Sequence, residues 1–296
     1  LFTNTTNTWL FYTAVGANAI GMALVTEVTG QEISWTGWLQ ATFIPAGITL
    51  LLIPILCHLL FGSKKGEKRE IDITFAKEKL KEMGPMSKNE KKAGLYFVLT
   101  LIAFCTNKWH HIAPDYIVFV TIFLMLCPGI GVCTFKDLNG TFAWPAFLQL
   151  GFAMSLATCV NKTGGFQWLV DAIFTTNPAF AAMNINTFLI IWLSFVVMLH
   201  IIFAGMNAME AVMVPVSMTM ASALGFDPYT MGLLTVMAIS AGAFFLPFNS
   251  APNLIFYSTN RFSTAQELKG AIPIALLIII GLIFSVKVWF PVIGIL

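Results

Sequence analysis

The chain has 296 residues, of which 57% are hydrophobic and 10% are charged, and its formal net charge is +2. A soluble domain carries about a quarter charged residues, so this composition, with a mean hydropathy of +0.81, excludes an ordinary soluble protein. The apolar residues form helix-length runs that contain Gly and Pro, rather than the alternating segments of about ten residues found in β-barrels. We therefore predict an all-α membrane protein, a polytopic helical bundle.

Apolar segments follow one another along the chain. A helix that crosses the hydrocarbon layer needs about 20 residues, and several segments are shorter than this. They run approximately over residues 9–25, 38–61, 94–106, 116–132, 144–160, 188–204, 208–224, 231–248 and 271–295.

The first apolar segment is broken by small and polar residues. Residues 11–18, FYTAVGAN, include Thr13 and Asn18. Irregular backbone at membrane depth is tolerated only where it is buried in protein or lines a wet cavity. We predict that Thr13, Asn18 and the backbone at 14–17 line a substrate-binding site, although Gly16 and Ala17 could instead serve close helix packing.

A charged linker follows at residues 63–92. It holds ten of the sixteen Lys and Arg residues, so the positive-inside rule predicts that it faces the cytoplasm. Acidic residues are interspersed among the basic ones, which favours a solvated surface segment over a nucleic-acid-binding region.

The segments at 188–204 and 208–224 are separated only by Gly205, Met206 and Asn207. This connection is too short for two spans that must each surface into water. We predict a re-entrant hairpin over residues 187–224 or so, with its tip buried in the protein.

A second break interrupts the next apolar segment. Residues 245–258 contain two prolines, Pro247 and Pro252, and the polar residues Asn249, Ser250 and Asn253. Proline removes a backbone donor and frees a carbonyl, and a half-helix that restarts here directs its free amides toward a cavity. We predict a broken helix over about residues 229–260 whose polar groups bind a carboxylate.

The two breaks indicate an internal repeat. Each ends in an Asn that precedes two aliphatic residues, and each is followed by a long apolar helix, at 38–61 and at 271–295. Paired interrupted segments of this kind are typical of inverted-repeat transporters and mark their binding sites.

Two ionisable residues lie within the hairpin. Glu210 is an intramembrane carboxyl, which predicts a cation or proton site, unless it pairs with a basic group or stays protonated against a carbonyl. His200 is interpreted as a structural hydrogen-bond donor. The five cysteines and four histidines form no metal-binding pattern.

Three short motifs resemble the divalent-anion/sodium symporter family, including its 2-oxoglutarate/malate translocator branch. Residues 11–18 are similar to that branch's FLTAMAAN, residues 81–90, KEMGPMSKNE, to its EMGPxSxxE, and residues 249–253, NSAPN, to the family's GTPPN. The similarity extends over the whole chain in order.

The resemblance implies two inverted repeats, each with a re-entrant hairpin and a broken helix, in an elevator-type homodimer. Residues 1–62 would end the first repeat, residues 63–92 would link the repeats, and residues 93–296 would form the second. The first hairpin is then expected upstream of Leu1, so the chain is expected to be a fragment.

The family usually carries Ser-Asn-Thr at the hairpin tip, where this chain has Met206, Asn207 and Ala208. The resemblance implies that Asn207, Ser250 and Asn253 contact the carboxylate. It also implies a sodium ion held by Gly205, Asn207, Asn249 and Ser250. The loss of both hydroxyls at the tip weakens the expectation of an ordinary sodium site.

We therefore expect a secondary active transporter of di- or tricarboxylates such as succinate, malate, 2-oxoglutarate or citrate, coupled to sodium, in the multi-pass cell (inner) membrane. Its expected partners are the carboxylate, sodium, membrane lipid and a second copy of the chain, with no other cofactor and no nucleic acid. The alternatives are a sodium-independent dicarboxylate exchanger and, more remotely, an intramembrane enzyme that uses Glu210 and His200. The sequence does not identify the carboxylate, and sulfate remains open.

Overall fold

The computed structural model describes residues 2–3, 7–62, 74–137, 148, 151–152, 155–156, 158–160, 162–176, 179, 182–203, 205–246, 249–250, 253, 256–257 and 263–295. Some sequence predictions lie outside these residues. They are the start of the charged linker at 63–73, much of the apolar segment at 144–160, Ala204 in the hairpin, and Pro247, Pro252 and residues 258–260 in the second break.

All regular structure in the described part of the chain is helical, as the composition predicts. A 3₁₀ turn at Asn7–Trp9 precedes the first helix, and the last helix continues through a π-helical turn at Ser285–Trp289 and a helical turn at Phe290–Ile293. A further helical turn lies at Asn107–His110. The longer described helices are α1 Gly16–Thr29, α2 Trp35–Phe61, α3 Thr74–Met83, α4 Lys88–Cys105, α5 Pro114–Leu126, α6 Gly165–Thr176, α7 Ile185–Leu199, α8 Met206–Ala223, α9 Pro228–Ala241 and α10 Thr264–Phe284.

The chain divides into two compact units. Unit 1 contains residues 1–33, 37–60 and 145–296, and unit 2 contains residues 34–36 and 61–144. The domain boundaries predicted from the sequence follow the proposed repeats rather than compactness, and they stay a prediction.

Unit 2 contains α3, α4 and α5. Helix α4 begins with a capping box, in which the Ser87 N–H donates to Glu90 Oε2 at 2.6 Å and the Glu90 N–H donates to Ser87 Oγ at 3.2 Å. The Ser87 backbone amide lowers the pKa of Glu90. Helices α4 and α5 are connected by a hydrogen bond between two hydroxyl groups, since Thr100 Oγ1 and Thr121 Oγ1 lie 2.8 Å apart.

The centre of unit 1 is α9. Every residue from Tyr229 to Ala241 is buried, and the helix packs against α1, α7, α8 and α10. A helix that is apolar on all sides belongs in the interior of a bundle. Its buried hydroxyls have partners, for example Thr235, whose Oγ1 accepts the Trp192 indole N–H of α7 at 3.0 Å.

Among the described residues, two helices are long and apolar enough to cross a membrane. An 18-residue window within residues 35–61 has a mean hydropathy of 2.2, and one within residues 264–293 has a mean hydropathy of 2.6. Large apolar side chains on both face outward, such as Leu51, which is 72% exposed, and Ile272, which is 66% exposed. These helices correspond to the long segments predicted at 38–61 and 271–295.

Glycines bring α1 against α8 and α9. A Cβ on Gly21 would lie 2.5 Å from Val236 Cγ2 and 2.9 Å from Glu210 Oε2. A Cβ on Gly232 of α9 would lie 2.6 Å from Val25 Cγ2. Small residues at such positions let helix backbones approach closely, which is how membrane helices gain packing energy.

Gly21→Ala is expected to lower the thermal stability of the purified protein. Overpacking of this kind costs about 1–3 kcal/mol. Gly47→Ala is the matched control, since a Cβ on Gly47 would meet nothing within 4 Å and Ala is the better helix former by roughly 1 kcal/mol. Equal melting temperatures for the two variants in detergent would contradict the close approach of α1.

Candidate functional site

The first break lies between the turn at Asn7–Trp9 and α1, and Asn18 holds it together. Asn18 is fully buried. Its Nδ2 donates to the carbonyl oxygens of Thr8 at 3.0 Å and Phe11 at 3.1 Å. Helix α2 fixes the same turn from the other side, because the Trp38 indole donates to Trp9 O at 3.0 Å.

Asn253 makes the same bonds in the second break. It is also fully buried, and its Nδ2 donates to the carbonyl oxygens of Ala243 at 3.1 Å and Leu246 at 3.2 Å. Both asparagines therefore reach back to the residues ten and seven positions earlier in the chain.

A backbone bond repeats in the same register. The Ala14 N–H donates to Phe11 O, and the Asn249 N–H donates to Leu246 O, each at 3.0 Å. Two segments far apart in sequence thus close their breaks with the same geometry. The sequence comparison aligns Asn18 with Asn253, and the hydrogen bonds follow that alignment.

Ser240, at the end of α9, bonds the first break to the helix that leads into the second. Its Oγ donates to Asn18 Oδ1, and Thr8 Oγ1 donates to Ser240 O at 2.5 Å. Sequence analysis missed Ser240, although a serine in an otherwise apolar helix next to a break was a usable signal. The corresponding oxygen of the second break, Asn253 Oδ1, is buried and has no hydrogen-bond partner among the described residues.

Asn249 ties the second break to the end of α7. Its Oδ1 accepts the Leu246 N–H at 2.7 Å, and its Nδ2 donates to His200 O at 2.6 Å and Phe203 O at 3.2 Å. The Ser250 Oγ accepts the Asn253 N–H at 3.4 Å. Asn18 therefore takes part in the hydrogen bonds of the first break, and Asn249, Ser250 and Asn253 take part in those of the second.

Two helices begin near these contacts without a side-chain cap. Helix α1 follows Val15, and α8 follows Gly205, and neither N-cap side chain makes a capping hydrogen bond. The first amides of a helix lack intrahelical partners and, with the helix dipole, favour an anion. Thr13 and Gly16 are exposed beside the start of α1, and Asn207 is partly exposed in the first turn of α8.

The buried polar groups Glu210 and His200 lie close to the same helices. Glu210 is on α8 with both carboxyl oxygens buried and without hydrogen-bond partners among the described residues. His200 ends α7, and its Nδ1 lies 3.2 Å from Val197 O. Its ring packs on Gly242, where a Cβ would lie 2.8 Å from the imidazole.

Positive side chains are missing from the sequence around the breaks. No Lys or Arg occurs in residues 1–63 or 163–260. No cluster of three or more His, Cys, Asp or Glu residues suited to a metal ion occurs in the described part of the chain. An anion bound here would depend on amides, hydroxyls and helix ends.

Known proteins resemble the whole chain. A family model, the sodium:sulfate symporter transmembrane region, matches residues 1–296. The inner membrane protein YbhI of Escherichia coli (strain K12) is 26% identical over 293 residues, 98% of this chain and 60% of that protein. The citrate/succinate antiporter of the same strain is 24% identical over 284 residues, 92% of this chain and 56% of that protein. The chloroplastic dicarboxylate transporter 1 of Spinacia oleracea is 25% identical over 254 residues, 85% of this chain and 44% of that protein.

The chain thus spans between 44% and 60% of the length of these relatives. The match over the full chain confirms the family resemblance and the membrane class predicted from the sequence. The chain belongs to the sodium:sulfate symporter transmembrane-region family, the divalent-anion/sodium symporter family of membrane transporters.

Proposed function

We propose that the protein is a secondary active transporter of di- and tricarboxylates, in the citrate and succinate class. The observation that carries the proposal is the matched pair of breaks, in which Asn18 and Asn253 make the same hydrogen bonds at the same spacing. Paired breaks of this kind form the binding sites of inverted-repeat transporters. Relatives named as a citrate/succinate antiporter and a dicarboxylate transporter support the substrate class.

The carboxylate would be held by the exposed starts of α1 and α8. The free amides after Val15 and Gly205 would donate to its oxygens, and Thr13, Asn207 and Ser250 would add side-chain hydrogen bonds. The polar atoms of Asn18 are already engaged inside the protein. Asn18 would therefore act mainly by fixing the shape of the first break. Asn253 uses its amide in the same way in the second break, while its Oδ1 has no partner among the described residues, and direct contact of either residue with substrate stays a prediction.

Movement would carry this site across the membrane. Helices α7 and α8, joined through residues 200–205, would form the re-entrant hairpin, and they would move with the broken helices in an elevator-type homodimer. The contacts from Asn249 to His200 and Phe203 support joint movement of the hairpin and the second break. The cell (inner) membrane, crossed several times, is the proposed location, supported by the printed name of the inner membrane protein YbhI.

Exchange of one carboxylate for another is the favoured mode of coupling. A sodium ion is bound by several oxygen atoms, as other hard cations are, but the Asn249 oxygen accepts the Leu246 N–H and the Ser250 hydroxyl accepts the Asn253 N–H. Met206 and Ala208 add no hydroxyl at the start of α8. Sodium-coupled symport, with Gly205 and Asn207 as further ligands, is the second candidate, and the family model's name favours it.

Uptake into proteoliposomes tests the function. Radiolabelled citrate or succinate is expected to enter vesicles loaded with unlabelled dicarboxylate, with or without a sodium gradient. Uptake that requires external sodium and no internal carboxylate would identify symport instead. Uptake of sulfate alone, or of none of these anions, would contradict the proposed substrate class.

Restoring hydroxyls at the start of α8 should change the ion dependence. In the double variant Met206→Ser, Ala208→Thr, two added oxygen ligands are expected to make carboxylate uptake sodium-stimulated by about tenfold, the effect of roughly 1.4 kcal/mol of added ion binding. Val212→Thr, at an exposed position farther along α8, is the control. If sodium already stimulates uptake by the parent protein, and the double variant shows the same stimulation, then the residues at positions 206 and 208 do not control sodium binding.

The linker that contains α3 should face the cytoplasm, because ten of sixteen basic residues lie within residues 63–92. Lys81 is exposed on α3. In a background without other cysteines, Lys81→Cys is expected to resist membrane-impermeant thiol reagents in intact cells and to react after the cells are opened. Labelling of this cysteine in intact cells would show that the linker faces the outside of the cell.

A further inference from the structure

Glu210 is a carboxyl group that the carboxylate site does not account for. It lies in the second turn of α8, is 0% exposed, and neither of its oxygens has a hydrogen-bond partner within the described residues. An ionised carboxylate in such a place loses its hydration and gains nothing in return, which costs several kcal/mol or more.

Its surroundings are apolar. Helix α1 presents Gly21, whose missing side chain leaves room for Glu210 Oε2, and α9 presents Val236 at the same point. Met209 and Val214 of α8 itself are fully buried. Among the described residues, the backbone amide of Gly21 is the polar group recorded beside the carboxyl, and it makes no hydrogen bond to either oxygen.

Among the described helices, those that pack mainly against α8 offer no positive charge. These are α1, α6 and α9, and none of them contains Lys, Arg or His. Their titratable side chains are Glu27, which accepts a hydrogen bond from Thr158, Asp171, which accepts one from Gln167, and Tyr229 at the start of α9. An added negative charge on Glu210 would therefore have no counter-ion on any neighbouring helix.

A metal cation does not suit this place either. Sodium needs several oxygen atoms around it, whereas the described groups recorded beside Glu210 are the side chain of Val236 and the backbone of Gly21. A proton satisfies the carboxyl without further ligands. We infer that Glu210 is a proton-binding site, which holds its proton while α1, α8 and α9 are packed as in this structure and releases it when α1 and α8 separate.

Release of the proton would be linked to carboxylate binding. Glu210 lies three residues after Asn207 and against α1, so it sits between the two helices whose starts would hold the substrate. Any movement that lets water reach the contact between α1 and α8 favours the charged form of Glu210. Because the two effects are reciprocal, protonation of Glu210 favours the packed arrangement of the helices. This link to the carboxylate rests on the proposed function, while proton binding at Glu210 does not.

Labelling of the unmutated protein tests the inference. Dicyclohexylcarbodiimide is an apolar reagent that reacts with protonated carboxyls: the acid proton moves to a carbodiimide nitrogen, the carboxylate oxygen bonds to the central carbon, and rearrangement leaves a stable N-acylurea. Mass spectrometry of reconstituted protein should find Glu210 modified, less so as pH rises, with citrate shifting the pH at which labelling falls. Glu27 is exposed, serves as the internal control, and should be labelled less than Glu210.

Each result decides part of the inference. Labelling of Glu210 no greater than that of Glu27, or the same at every pH, would overturn proton binding. If citrate raises the melting temperature but leaves the labelling profile unchanged, the link to substrate is wrong. If citrate alters neither, the proposed function fails, while pH-dependent labelling would still support the proton site. Glu210→Gln, which keeps the shape of the protonated acid, should lose the pH dependence of citrate-induced stabilisation.

Discussion

Asn18→Ala and Asn253→Ala are expected to abolish carboxylate transport to a similar degree. Each removes an amide that donates to two carbonyl oxygens of a break. A buried group left without its partner costs about 1–3 kcal/mol. Two such losses at a break would reduce uptake by about a hundredfold or more, since each 1.4 kcal/mol is a factor of ten.

Two further variants test how the side chains of the first break contribute to uptake. Asn18 also accepts the Ser240 hydroxyl, so Ser240→Ala should reduce uptake less than Asn18→Ala, because it leaves both carbonyls of the first break bonded. Asn89→Ala, at an exposed position in α4, is the control and should transport normally. Full uptake by either asparagine variant, with normal expression, would contradict the equivalence of the breaks.

Asn249→Ala is expected to release the end of α7 from the second break. The variant loses the acceptor of the Leu246 N–H and both donors to the carbonyls of His200 and Phe203. Uptake should fall by about tenfold or more, because all three bonds are to backbone groups and leaving a buried polar group without its partner costs about 1–3 kcal/mol.

Hydrogen–deuterium exchange identifies the cause. Backbone amides of residues 200–205 should exchange faster in Asn249→Ala than in the parent protein, because local opening sets the exchange rate. Ser222→Ala, which removes one bond within α8 to Met218 O, is the matched control and should leave residues 200–205 unchanged. Unchanged exchange in Asn249→Ala would show that the hairpin end is held by other contacts.

Sequence patterns predicted the helical class, the two long helices and the positions of the breaks. The breaks could be predicted because Pro, Gly and Asn are rare in apolar helices unless the backbone departs from the helix there. The alignment of Asn18 with Asn253 was also available from the sequence. Helix starts were less accurate: α1 begins at Gly16, within the segment predicted to start at residue 9, because the first break occupies its beginning.

The partners of the polar side chains could not be predicted. Asn249 was expected to offer its oxygen to a ligand, which stays a prediction; in the structure that oxygen accepts the Leu246 N–H within the break, and the amide joins the break to the end of α7. Ser240 reaches Asn18 across 222 residues of sequence, and no local pattern reports such a distant contact. The unpartnered state of Glu210 likewise depends on the approach of α1 and α9, which is set by packing at Gly21.

A cryo-electron microscopy map of the protein with bound citrate tests the central claim most directly. The claim is that the starts of α1 and α8, shaped by the two matched breaks, hold the carboxylate. The account predicts citrate density against the backbone amides that follow Val15 and Gly205, with no Lys or Arg side chain in contact. Citrate density found only elsewhere, for example against the basic residues of α3, would contradict it.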